Sequence, residues 1–130
     1  MFLDMKLILA IAMGGAVGAV GRYYVGAYAF KWLSAGFPFG TLIVNVLGSF
    51  LMGLLVTLMT LKWNVGNELR LFLTVGLLGG FTTFSTFSLD FVMLFERGDV
   101  LIAVGYAVAS VALALVSVFG GIYLMRILLT

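Results

Sequence analysis

Four stretches of this chain carry no charge: residues 7–21, 39–61, 71–89 and 100–125. A helix that crosses the hydrocarbon layer of a bilayer needs about 20 largely apolar residues, because its backbone polar groups can then bond only to one another. The last three runs supply that length alone. The first does so if Arg22 is accommodated and the run continues to Phe30. The reading is an all-α membrane protein, a single transmembrane domain over 1–130, with four helices at about 7–30, 39–61, 69–95 and 99–127. Composition agrees: 64% of the residues are hydrophobic and 9% charged, against roughly a quarter charged in a soluble domain. Such a chain cannot cover its own surface with polar groups, and its natural surroundings are a lipid bilayer.

Other classes fall away. The net charge of +2 comes from scattered single basic residues, without the patch that phosphate binding requires, so no nucleic-acid partner is expected. There is no cysteine and no histidine. That removes thiol chemistry, disulfides, the usual transition-metal ligands and the commonest proton shuttle. Asp4, Glu68, Glu96 and Asp99 lie in tails or connectors and Asp90 lies toward a helix end, so no pair is set for acid–base work. The chain does not read as an enzyme.

Pro38 stands just before the second helix, where its missing N–H is harmless. Trp32 and Trp63 fall at helix ends, as interfacial aromatic belts predict. Lys6, the first apolar run and Ala27-Tyr28-Ala29 have the outline of a signal peptide, but Arg22 between run and triplet argues against cleavage. Lys6, Lys62, Arg70 and Arg126 belong to the end that carries both termini, Lys31 and Arg97 to the other. So small a bias permits insertion in both directions, and with it an antiparallel dimer. Gly14 with Gly18, and Gly76 with Gly80, are spaced for close helix contact. Four short helices can hardly enclose a pore alone, which predicts at least a homodimer.

The stretch Gly79-Gly80-Phe81-Thr82-Thr83-Phe84-Ser85-Thr86-Phe87-Ser88 is the least helical part of any apolar run. Paired glycines followed by two threonines disfavour a continuous helix, so the third helix is expected to break near mid-membrane and free carbonyls for a cation. Phe81, Phe84 and Phe87 are spaced to share one stripe. Arg22 and Asn45 are the other strongly polar groups at depth. Arg22 either snorkels to the interface or draws anions to a pore mouth. Asn45 either bonds across helices or donates N–H to a permeant anion. Tyr106 and Ser110, four apart, give a second hydroxyl stripe, although a lone helical serine usually bonds its own i−4 carbonyl. Donors without mid-membrane acids suit a small anion, and the positive rims of Phe84 and Phe87 suit it too. Ser85 and Thr86 lie between those rings.

The run from Gly79 to Phe87 resembles the signature of the Fluc fluoride channels, also called CrcB proteins. Gly40-Thr41-Leu42 leading to Asn45 and Gly48 is similar to their second-helix motif, and Gly18 through Arg22 to their first. The resemblance covers essentially the whole chain. It implies an antiparallel, dual-topology homodimer with two pores, multi-pass in the cell inner (plasma) membrane. It implies a structural sodium ion at the dimer centre, held by the backbone carbonyls of Gly79 and Thr82. It implies that Phe84 and Phe87 face fluoride, that Asn45 is the pore amide, that Ser85, Thr86, Tyr106 and Ser110 form a polar track, and that Arg22 matches a first-helix arginine. Where some members have a further serine, this chain has Ala114, and Ser117 lies a full turn too far along to replace it. The expected function is a passive channel that exports cytoplasmic fluoride and protects the cell from its toxicity. Two other readings are a proton-coupled drug exporter, for which the first helix lacks a carboxylate, and a non-conducting packing subunit of a larger complex.

Overall fold

Apolar runs become helices because only a helix satisfies its own backbone in lipid. The computed structural model describes residues 4–34 and 36–130. Residues 1–3 and 35 of the expected domain lie outside the described residues. α1 spans Met5–Trp32, α2 Phe39–Leu61 and α6 Val100–Leu129. The third apolar run is composite: α3 (Asn67–Leu71), a π-helical stretch (Phe72–Leu78), α4 (Gly79–Phe81) and α5 (Phe84–Glu96). The helical path Asn67–Glu96 and the other three helices are each long and apolar enough to cross a membrane. The protein is all-helical, with the architecture of a four-span membrane protein.

Glycine decides how closely the helices approach. α1 lies along the third path, and a Cβ on Gly14 or Gly18 would collide with the carbonyls of Phe72 and Leu77 respectively. Opposite them, a Cβ on Gly76 would lie 2.8 Å from the Ile11 carbonyl, and one on Gly80 2.7 Å from the Gly15 carbonyl. The two glycine pairs therefore face each other, backbone on backbone. The π-helical stretch, whose wider turns sequence patterning did not anticipate, runs along this contact. α2 packs most extensively on α6, and a Cβ on Gly121 would stand 3.2 Å from Gly53 Cα.

Close backbone packing leaves little volume for a conventional core. Leu94, Ala103 and Tyr106 form the buried cluster, with Phe37, Leu42, Phe87 and Phe91 against it. Large side chains such as Leu101, Phe119 and Tyr23 stand outward, an arrangement that lipid tolerates and water does not. At one end, Arg97 donates from Nη2 to the Gly36 carbonyl (2.7 Å) and from Nε to Asp99 Oδ2 (2.7 Å). It ties the α1–α2 loop to the α5–α6 turn, where Gly98 takes φ +97°.

Gly18→Ala should lower the thermal stability of the detergent-solubilised protein, by about 1–3 kcal/mol for overpacking of this kind. The matched control is Gly105→Ala, where no neighbour lies within 4 Å; its melting temperature should stay level or rise slightly.

Candidate functional site

The third path leaves helical geometry at two residues. Thr82 has φ −89°, ψ 159° and Thr83 φ −154°, ψ 128°, both extended. Two extended residues among helices create a specific debt of backbone partners, and side chains from other helices meet it. Asn45 of α2 accepts from the Thr83 N–H at Oδ1 (2.8 Å) and donates from Nδ2 to the Thr83 carbonyl (3.0 Å). One side-chain amide thus stands in for both halves of a missing backbone pair. Arg22 of α1 donates from Nε to the Gly80 carbonyl (3.0 Å), which turns the guanidinium toward the third path. It pins α1 to the segment before the extended residues.

Local chemistry completes the restart. Thr83 caps α5, its Oγ1 accepting from the Thr86 N–H (3.2 Å) and lying 3.3 Å from Ser85 Oγ. Thr82 Oγ1 donates to the Leu78 carbonyl (2.9 Å). Gly48 makes room for Thr82, since a Cβ there would collide with Thr82 Cγ2. Two carbonyls lose their usual helical donors in the process. The Thr83 N–H, normally due to Gly79, goes to Asn45, and the Thr86 N–H, normally due to Thr82, goes to Thr83 Oγ1.

The extended pair also separates the phenylalanines. Phe81 sits between α1 and α2, and a Cβ on Gly21 would touch it at 3.5 Å and one on Gly48 at 3.4 Å. Phe84 is 76% exposed. The expected stripe of three rings is therefore two, because Thr82 and Thr83 reset the helical phase between Phe81 and Phe84. The Phe84 and Phe87 ring centroids are 5.4 Å apart, and Phe87 lies 5.3 Å from Tyr106.

These residues distribute over three cavities. A groove of about 400 Å³ between α2, α5 and α6 takes in Asn45, Ser49, Phe84, Phe87, Ser110 and Ala114. Arg22, Thr83 and Thr86 border a second, of about 350 Å³, between α1 and α2. Asp90 and Arg97 border a third, of about 320 Å³, toward the α1–α2 loop. Thr83 and Asn45 are where the predicted residues converge; Tyr106 is not among the groove residues. Its hydroxyl donates to Asp90 Oδ2 (3.1 Å), and a phenol has only one proton to give. Tyr106 and Ser110 are both buried on α6, and Asp90, which the sequence places toward a helix end, is the hydrogen-bond partner of Tyr106. Ser110 departs from expectation in another way: its Oγ is buried and has no hydrogen-bond partner, not even the i−4 carbonyl.

A donor-rich groove thus lies beside two extended residues in a small four-span protein. The family described as CrcB-like protein, Camphor Resistance (CrcB), matches residues 9–122. The chain belongs to the CrcB-like family. It is 51% identical over 120 residues to the fluoride-specific ion channel FluC of Rhizobium etli, covering 92% of this chain and 96% of that one. To the FluC of Agrobacterium fabrum it is 50% identical over 119 residues, 92% of this chain and 95% of the relative. To that of Rhodospirillum centenum it is 50% identical over 122 residues, 94% and 97% of the two chains. These CrcB-like relatives are named as ion channels and not as enzymes, and the four apolar helices agree with a multi-pass membrane protein.

Asn45→Ala should destabilise the fold by about 1–3 kcal/mol for each Thr83 backbone group left without a partner. Thermal unfolding in detergent measures this, and an unchanged midpoint would remove Asn45 from its bridging role.

Proposed function

We propose that the protein is a passive, fluoride-selective channel that exports cytoplasmic fluoride across the inner (plasma) membrane and protects the cell from fluoride toxicity. The observation that carries this reading is the Ser110 hydroxyl, buried without a partner beside the groove that Asn45, Phe84 and Phe87 line. A buried, unpaired hydroxyl is unfavourable unless a guest completes it. Asn45 keeps a second N–H after serving Thr83. The first turn of α5 offers N–H groups and the positive end of a helix dipole. Ring rims at Phe84 and Phe87 add the same sign of potential.

In this reading a dehydrated fluoride ion exchanges its water for donors of Asn45, Ser110, Ser85 and Thr86 and for the rims of Phe84 and Phe87. Tyr106, its hydroxyl donating to Asp90, backs the Phe87 ring, and Arg22 acts from behind by fixing Gly80. Larger anions lose more contact than the bore returns. The relatives' printed name, fluoride-specific ion channel, supports the choice of ion.

A single copy leaves the groove open and Phe84 largely uncovered. The proposed active unit is an antiparallel, dual-topology homodimer, in which an inverted copy closes the groove. The small bias of Lys and Arg, four at one end against two at the other, permits both orientations. The third span, interrupted near mid-membrane, supplies the centre of that dimer. Gly79 and Thr82 present carbonyls whose helical donors are engaged elsewhere, and unwound carbonyls of this kind suit sodium. Bound there, a structural sodium ion would supply positive charge and join the two segments.

Purified protein in liposomes should release fluoride and retain chloride; equal chloride flux would overturn the selectivity. Phe84→Ile should cut fluoride efflux by about tenfold or more, a change in barrier of about 1.4 kcal/mol. Replacing sodium by N-methylglucamine should lower the unfolding temperature of the dimer, with graded recovery as sodium is titrated back. A sodium-independent midpoint would remove the ion from the structure.

A further inference from the structure

Helical hydroxyls with nothing else to do return to the carbonyl four residues back. In this protein Thr60, Thr74 and Ser88 do so, at 2.7, 2.8 and 3.0 Å. Ser49 does not: among the described residues no hydrogen bond ties its Oγ to a protein partner. It shares that condition with Ser110, and both border the same groove. Two serines on different helices, each without a back-bond, therefore border the one groove that also takes in Asn45 and Phe84.

Their depths are complementary. α2 and α6 run in the same direction, separated by two chain reversals, and Gly53 meets Gly121. Counting back equally from that contact puts Asn45 level with Leu113 and Ser49 level with Ser117. Ser110 lies about one turn to one side of the Asn45 level, and Ser49 one turn to the other. Ala114 occupies the interval on α6 and offers no donor. The polar groups bordering the groove therefore continue past Ala114, but on the opposite wall.

We propose that Ser49 is an ion-coordinating residue of the conduction groove, carrying on α2 the hydroxyl track that α6 interrupts at Ala114. This rests on the fluoride-channel reading above. An ion leaving Ser110 is passed to the free N–H of Asn45 and then to Ser49, so it changes walls midway. The hydroxyl of Ser49 donates to the ion; no bond within the protein must break first, because the back-bond is absent.

The test compares fluoride efflux from liposomes carrying the full-length protein, Ser49→Ala, and Ser49→Ala combined with Ala114→Ser, each checked for unchanged elution as an assembled species. Ser49→Ala should slow efflux about tenfold, the loss of one donor to an anion. Adding Ala114→Ser should return most of that loss by restoring a hydroxyl on the other wall. Unchanged efflux in Ser49→Ala, while the unsubstituted protein conducts, overturns the proposal and leaves the channel reading standing. A loss that Ala114→Ser does not repair assigns Ser49 to packing and also overturns it. Absence of fluoride efflux from the unsubstituted protein removes the channel reading, and this inference with it.

Discussion

Everything distinctive in this protein follows from one substitution of partners: a side-chain amide where a helix would use its own backbone. Thr83 presents an N–H and a carbonyl within a long apolar path, and Asn45 answers both at 2.8 and 3.0 Å. Without it the extended pair would carry unpaired polar groups in a medium that offers none. With it, the chain can leave the helix, turn Phe84 away from Phe81 and restart with a capped N-terminus. The break in geometry is thus held by α2, and only secondarily by the threonines that permit it. Arg22 does the same for Gly80 from the other side, so α1 and α2 grip one strand of backbone between them.

That grip requires contact distances that ordinary side chains forbid. The Arg22 guanidinium reaches a main-chain carbonyl because α1 lies directly on the third path, and it lies there because Gly14 and Gly18 face Gly76 and Gly80. Gly48 plays the equivalent part for α2, admitting Thr82. Apolar attraction between helices is weak in lipid, where the surroundings are equally apolar, so packing density and interhelical hydrogen bonds carry more of the association. The glycines and the two polar bridges are one device. Small residues bring the backbones close, and closeness lets short side chains replace backbone bonds.

Much of this was legible in the sequence, and what was not failed for identifiable reasons. Uncharged runs mark the four helices because the exclusion of charge from lipid is a strong, local signal. Glycine spacing indicated contact faces, since four residues return to the same side of a helix. The phenylalanine stripe misled: a fixed helical phase cannot be carried across Thr82 and Thr83, and Phe81 packs between Gly21 and Gly48. Asn45 had two open roles, and deciding between them required knowing that Thr83, 38 residues away, lies within reach. Tyr106 and Asp90 could not be paired from spacing, because they meet across α5 and α6. Ser49 went unremarked for the opposite reason. A serine in a helix is usually silent, and only its place on the groove beside Asn45 and Ser110 gives it away.

The carbonyls around the extended pair show how one irregularity can serve two charges. Gly80 and Thr83 are taken by Arg22 and Asn45, while Gly79 and Thr82 have had their helical donors diverted. On the other side of the same few atoms, α5 begins with N–H groups in excess. A helix interrupted in this way therefore exposes acceptors before the break and donors after it. The first set suits a cation and the second an anion. No formal charge on the protein is needed for either, which is an advantage in a medium where a permanent charge would demand its own compensation. The proposed sodium and fluoride ions would then be consequences of a single decision by the backbone, and side chains such as Ser49 and Ser110 would only extend what the break begins.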